Sequence, residues 1–93
     1  MVTFKLFGTI ATDFNGRNID LTTGKVAVTL KELLLILKNL NEEKFTSYFD
    51  NDLTPKRGTL ILVNGVDFNT LEGLDTIITL SDQVSLIPTI SGG

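Results

Sequence analysis

The sequence predicts an α+β fold in which a mixed sheet of four to five strands curls over one main helix. Three observations lead to this class. A leucine-rich segment in the middle of the chain has helical spacing and is apolar over a wide arc. Two segments with alternating side chains precede it, and a hairpin with a final strand follows it. Because a helix with a wide apolar arc has to be covered by another layer, the strands are expected to form one sheet above it.

The first strand is predicted from Val2 to Gly8, where apolar side chains fall on one face and Lys5 marks the wetter one. A connection through Asp13 leads to a second strand with the sequence RNIDL. The sequence TTGKVAV then reads as a turn and a short extended return, so this region is expected to form the second half of an antiparallel hairpin.

The main helix is predicted to begin after Thr29 and to end near Leu40. Thr29 is expected to cap the helix, with Glu32 three residues later completing a capping box. The apolar stripe consists of leucines at helical spacing, namely Leu30, Leu33, Leu34, Leu37 and Leu40.

The segment from 41 to 58 is polar, and a short helical turn with a long surface loop is expected there. Its apolar anchors are Phe45, Tyr48, Phe49 and Leu53.

A central strand with the sequence TLILV follows, and Asn64-Gly65 is the dipeptide best suited to a two-residue hairpin turn. After the short strand VDF, the sequence TLEGLDTIIT is expected to form a turn or a single helical loop. In the final strand, Val84 and Leu86 share one face while Ile87 points to the other.

This order of elements, ββαββ with a mixed sheet over one helix, is the β-grasp or ubiquitin-like arrangement. We expect residues 1–88 to form the domain and residues 89–93 to form a flexible tail that ends in Gly-Gly. Pro88 has no N–H and is therefore expected to limit sheet pairing, so that the tail leaves the sheet from Thr89 onward.

Composition excludes many enzyme classes. The chain has no cysteine and no histidine, so thiolate nucleophiles, iron–sulfur clusters and imidazole chemistry are ruled out. The segment DNDLT resembles the start of a calcium loop but lacks the glycine and glutamate that such a loop needs. No glycine pattern suits a nucleotide phosphate. We therefore expect no catalytic residue, no metal site and no cofactor, and a chain that is not itself an enzyme.

The formal charge of −3 argues against direct nucleic-acid binding and favours a basic protein partner. The longest mainly apolar stretches run for about six or seven residues, too short to cross a bilayer. A cytoplasmic location without membrane contact is expected.

With no candidate side chains, the α-carboxylate of Gly93 is the remaining group that could carry chemistry. A carboxylate has to be activated before a nucleophile can attack it, and the activating partner has to enclose the chain end. Gly92 and Gly93 have no Cβ near the reacting carbon, and they allow backbone conformations that other residues avoid.

The stretch ILVNGVDFNTLEGLDTIITLSDQVSLIPTISGG, from Ile61 to Gly93, resembles the C-terminal third of the ubiquitin-related modifier and sulfur-carrier group. This group includes archaeal small modifier proteins and the small subunit of molybdopterin synthase (MoaD). The hairpin ILVNGVDF is most similar to the ubiquitin-related modifier, and SDQVSLIPTISGG is similar to the shared ending of the group. Two departures are Thr89, where the synthase subunits usually have a second proline, and Ser91, where the eukaryotic modifier usually has histidine.

The resemblance implies that an E1-like enzyme uses ATP to adenylate Gly93. The product would then become a thiocarboxylate, a sulfur donor in reactions such as tRNA thiolation, or form an isopeptide bond with a lysine of a target protein. Gly92 and Ser91 would complete the activated tail. The alternative is a dedicated molybdopterin synthase subunit that donates sulfur for molybdenum cofactor biosynthesis. The implied partners are the E1-like enzyme, target proteins, and a sulfurtransferase or the large subunit of molybdopterin synthase.

Docking to an activating enzyme is expected to use an apolar patch on the exposed sheet face. Ile87 is the first candidate because it lies on the face opposite Val84 and Leu86. Ile61 is the second candidate, while a core position remains the alternative for both residues.

Overall fold

A computed structural model describes residues 2–89, and the order of its main elements follows the prediction. The strands and helices are β1 Val2–Leu6, α1 Gly8–Asp13, β2 Asn18–Leu21, β3 Ala27–Thr29, α2 Leu30–Leu40, α3 Glu42–Phe45, β4 Thr59–Val63, β5 Val66–Asp67, β6 Ile77–Thr79 and β7 Gln83–Pro88. Two short 3₁₀ helices, Phe68–Thr70 and Gly73–Asp75, lie between β5 and β6.

The main sheet has five strands in the order β2-β1-β7-β4-β5. β1 pairs antiparallel with β2 and parallel with β7, and β7 pairs antiparallel with β4. The last strand along the chain therefore lies at the centre of the sheet. This arrangement confirms the predicted α+β class with a mixed sheet and one main helix.

The core lies between one face of the main sheet and α2. Inward-facing residues of the three central strands are fully buried, as are four leucines of α2. They form one continuous cluster that includes Phe4, Leu6, Ile61, Val84 and Leu86 from the sheet and Leu30, Leu33, Leu34 and Leu37 from the helix. Because α2 covers this face alone, the opposite face of the sheet is left toward solvent.

The start of α2 is held by the predicted capping box. The Thr29 hydroxyl accepts a hydrogen bond from the backbone N–H of Glu32 at 3.2 Å, and the Glu32 carboxylate accepts one from the Thr29 N–H at 3.4 Å. These bonds satisfy two backbone donors at the helix start. Within residues 2–89, no helix is long and apolar enough to cross a membrane.

The aromatic anchors of the polar segment are confirmed. Phe45, Phe49 and Leu53 are buried, and Tyr48 packs against the core. The rings of Phe45 and Phe49 are stacked with their centroids 4.3 Å apart. The loop after α3 is therefore fastened to the core by its apolar residues.

Two parts of the topology differ from the prediction. The segment from Gly8 to Asp13 is a helix, although Gly8 was expected in β1 and Asp13 in a loop. β3 pairs with β6, a strand in the segment expected to be a turn or helical loop, and together they form a separate two-stranded sheet. β2 pairs antiparallel with β1 as the second half of the predicted hairpin, and β3 leads directly into α2.

The turn between β4 and β5 aligns the start of β7. Asn64 and Gly65 have the positive φ angles, 52° and 83°, that the predicted hairpin turn requires. The Asn64 amide nitrogen donates to the Asp82 carboxylate at 2.9 Å, and its amide oxygen accepts from the Gln83 N–H at 2.9 Å. The other Asp82 oxygen accepts from the Thr79 N–H at 2.8 Å. Asp82 therefore connects the end of β6 and the start of β7 to the turn.

We predict that this connection weakens in acid. The hydrogen bond from the Thr79 N–H, helped by the Asn64 amide, lowers the pKa of Asp82 below its ordinary value. The folded chain thus binds fewer protons at this site than the unfolded chain does. Its contribution to stability is present above the ordinary aspartate pKa of about 4, and is lost as the pH falls through the lower folded value.

Urea unfolding of the wild type and of Asp82→Asn from neutral pH to about pH 2 tests this prediction. The difference in unfolding free energy between the two proteins should shrink toward the acid end, because both then carry an uncharged side chain. A difference that stays constant with pH would contradict the assignment.

Candidate functional site

The last two described residues, Pro88 at the end of β7 and Thr89 after it, are held beside β4; we call these two residues the tail root. Pro88 pairs in register with Thr59, and the Thr89 N–H donates to the Gly58 carbonyl at 2.6 Å. β7 ends at Pro88 as expected, and one further backbone hydrogen bond holds Thr89 beside the start of β4. Successive N–H groups of a strand point to opposite sides, so the missing N–H of Pro88 falls on the side of β1, which has already ended at Leu6.

Gly8 allows α1 to begin against the tail root. Its φ is +57°, and a Cβ at this position would lie 2.8 Å from Cγ of Pro88. Such a separation is too short for two carbon atoms, and the proline ring is stiff. A glycine is therefore required both for the backbone conformation and for the close approach.

A row of apolar side chains crosses the outer face of the sheet beside the tail root. Leu60 pairs with Ile87 across β4 and β7. Phe7 extends β1 by one residue, since its N–H donates to the Leu86 carbonyl at 3.1 Å and its backbone is extended. Leu62 lies in the next row, paired with Ser85. We call Phe7, Leu60, Leu62 and Ile87 the outer patch.

The outer patch is partly open to solvent. Phe7 is 45% exposed and Leu60 is 38% exposed, while Leu62 and Ile87 are half-buried. Ser85, in the centre of this face, is buried between its neighbours. The patch therefore offers adjoining apolar side chains at the end of the sheet from which the tail leaves.

The two predicted docking residues have different outcomes. Ile87 lies on the outer face as expected, and its role in docking stays a prediction. Ile61 is fully buried because it pairs with Leu86 on the core face, so its assignment to an exposed surface is wrong. Ser91, Gly92 and Gly93 lie outside the described residues.

Sequence reasoning missed Phe7 and Leu60 as parts of this surface. Alternation along the strands would have indicated both: Phe7 follows the inward-facing Leu6, and Leu60 precedes the inward-facing Ile61. The register between β4 and β7 then brings Leu60 beside Ile87.

No three acidic side chains converge in residues 2–89 in a way that could hold a metal ion.

Comparison with known proteins assigns the family. The family model described as Urm1 (Ubiquitin related modifier) matches residues 2–93. The chain belongs to the Urm1 family. It is 30% identical to Ubiquitin-related modifier 1 of Encephalitozoon cuniculi over 97% of this chain and 98% of that protein. It is 28% identical to a putative sulfur carrier protein of Archaeoglobus fulgidus over 80% of this chain and 84% of that protein.

A solved Urm1-like structure has the same fold. The small archaeal modifier protein 1 of Methanosarcina acetivorans superposes with a TM-score of 0.79 and is 28% identical. The superposition covers 99% of this chain and 95% of the archaeal protein. The predicted ubiquitin-like β-grasp fold is therefore confirmed.

We predict that Gly8→Ala destabilises this Urm1-family protein more than Gly24→Ala does. Both glycines have positive φ, so each alanine should cost about 1–2 kcal/mol of unfolding free energy. Only the Cβ at position 8 also overlaps Pro88, whereas nothing lies within 4 Å at position 24. This overlap should add roughly 1 kcal/mol or more.

Urea unfolding at neutral pH measures both variants against the wild type. Gly24→Ala is the matched control, because it has the backbone strain without the overlap. Equal losses of stability in the two variants would contradict the close approach between α1 and the tail root.

Proposed function

We propose that this protein is a ubiquitin-like modifier and sulfur carrier that acts through the carboxylate of Gly93. The observation that carries the proposal is the family match, which extends through Gly92 and Gly93. Relatives described as a ubiquitin-related modifier and as a putative sulfur carrier support both uses.

The first step of the proposed chemistry is catalysed by another protein. An E1-like enzyme joins the Gly93 carboxylate to the α-phosphate of ATP, which forms an acyl-adenylate and releases pyrophosphate. A nucleophile then attacks the activated carbonyl carbon and displaces AMP. When the nucleophile is the terminal sulfur of a sulfurtransferase persulfide, the product is an acyl disulfide, and a thiol then reduces its S–S bond, releasing the thiocarboxylate and forming a disulfide. When the nucleophile is the amino group of a target lysine, the product is an isopeptide bond. In this scheme the chain is a substrate, and ATP binds to the activating enzyme.

The fold supports this use in two ways. The tail root is held between Gly8 and Gly58, so the direction in which the chain leaves the sheet is set by close contacts. The outer patch lies beside the tail root and gives the activating enzyme an apolar surface to contact while the tail enters the enzyme's active site. Apolar residues that adjoin on an exposed face are typical of protein interaction sites.

We predict that deletion of Gly93 abolishes adenylation and leaves the fold intact. The shortened chain ends one residue earlier, so its carboxylate stops short of the position where ATP is attacked. The core and both sheets are formed by residues 2–89, so the unfolding free energy should stay within about 0.5 kcal/mol of the wild-type value.

Incubation with ATP and the E1-like enzyme of the same organism, followed by intact-mass measurement, tests this prediction. The wild type should form the adenylate, or the thiocarboxylate when a sulfur donor is present. Equal product from the deletion variant would overturn the proposed role of Gly93. Thermal unfolding of both proteins checks that they are folded.

A further inference from the structure

A cleft on the outer side of the sheet borders the outer patch. It has a volume of about 510 Å³ and is enclosed by β1, the start of β2 and α1. Its lining combines apolar surface with two cations, from Lys5, Leu6, Phe7, Gly8, Ala11, Thr12, Arg17 and Asn18. Phe7 belongs to both surfaces, so a partner that covers the patch also reaches the cleft.

β1 and the bend before β2 supply the two cations of the cleft. Lys5 pairs in register with Asn18, and the Leu6 N–H donates to the Arg17 carbonyl at 2.7 Å. Arg17 lies in the bend that precedes β2, and it lines the same cleft as Lys5. Both residues are exposed.

Neither cation has an acidic partner within the described chain. The ion pairs found among residues 2–89 are Lys25 with Glu32 and Lys44 with Asp13. No carboxylate from these residues lines the cleft. The charged residues that line the cleft are therefore both basic, on a protein whose formal net charge is −3.

The strand ends give the sheet opposite charges at its two ends. Arg17 and Arg57 flank the end from which the tail root leaves, next to the starts of β2 and β4. Asp20 and Asp82 lie at the opposite end, where β2 ends and β7 begins. Asp67 lines a second cleft together with Arg57, whereas the cleft that Lys5 and Arg17 line has no carboxylate.

We infer that the cleft binds carboxylate side chains of the protein that engages the tail root, on a segment with both acidic and aliphatic residues. Lys5 and Arg17 supply the charge that attracts carboxylates, and Phe7 with Ala11 supplies apolar surface for the stems of these side chains. Charge complementarity of this kind raises association rates and selects partners. The inference rests on the proposed function, because it assigns the segment to the activating enzyme.

The local charge reverses the expectation from composition. A net charge of −3 favours a basic partner, but the surface next to the tail root is complementary to an acidic one. A nucleic acid would also be attracted to cations. However, only two basic side chains line this cleft, and its apolar lining favours a protein segment.

A direct binding experiment uses a synthetic peptide of alternating glutamate and leucine. Titrated into the 15N-labelled full-length protein, it should shift the backbone amide signals of Lys5, Phe7, Gly8 and Arg17. The shifts should be lost in the double variant Lys5→Glu/Arg17→Glu. They should persist in Lys31→Glu/Lys38→Glu, which makes the same change in charge on α2. Absent shifts, shifts elsewhere, or tighter binding of a single-stranded RNA would overturn the inference.

A kinetic experiment tests the cleft in its proposed role. ATP–pyrophosphate exchange by the activating enzyme is measured as the concentration of the carrier is varied. Lys5→Glu/Arg17→Glu should raise KM roughly tenfold with little change in kcat, and its KM should respond less to salt than that of the wild type. The control Lys31→Glu/Lys38→Glu should keep a KM within about twofold of the wild type.

The outcomes separate the two claims. If the wild type is not adenylated at all, the proposed function fails, and the peptide titration still decides whether the cleft binds carboxylates. If the wild type is adenylated and both double variants have equal KM values, the inference fails and the proposed function stands. The neutral change Ile87→Ala should raise KM without changing the salt dependence, which distinguishes the apolar patch from the charged cleft.

Discussion

The parallel pairing of β1 with β7 is the contact on which the rest of the structure depends. A parallel connection requires a long crossover, and here that crossover carries α2 across one face of the sheet. The helix buries Val84 and Leu86 completely and leaves the other face toward solvent. With β4 on its second side, the last strand becomes the centre of the sheet, so the tail root follows a strand that has a partner on each side.

Local sequence patterns predicted the elements that local interactions stabilise. The capping box at Thr29 and the Asn64-Gly65 turn depend on neighbours within a few residues, so their sequences are sufficient to recognise them. α1 is different, because it has only six residues and no side-chain cap. The sequence feature that indicates this helix is the four-residue spacing of Ile10 and Phe14, which are both buried. The pairing of β3 with β6 is non-local, and alternation within either segment does not identify the partner.

The candidate surface was only partly predictable for the same reason. The strand TLILV is apolar on both faces, so its sequence does not reveal which face meets the helix. The register with β7 decides this: Ile61 is opposite Leu86 in the core, and Leu60 is opposite Ile87 outside. Net charge is also of limited use, because a value of −3 does not say where the charged residues lie on the surface. The pairing of β1 with β2 brings Lys5 and Arg17 to one cleft and creates a cationic site on an acidic protein.

The central claim is that the Gly93 carboxylate is converted to a covalent product in the cell, and mass spectrometry of cell extracts tests it most directly. A protease that cleaves before aspartate would leave the segment from Asp82 to Gly93 on any modified lysine, a shorter remnant than trypsin would leave after Arg57. The account predicts lysines that carry this remnant, or free protein in which one carboxyl oxygen is replaced by sulfur, and neither product in cells that carry the Gly93 deletion. The account would be contradicted if cells that need the protein contained only unmodified chains with a free Gly93 carboxylate.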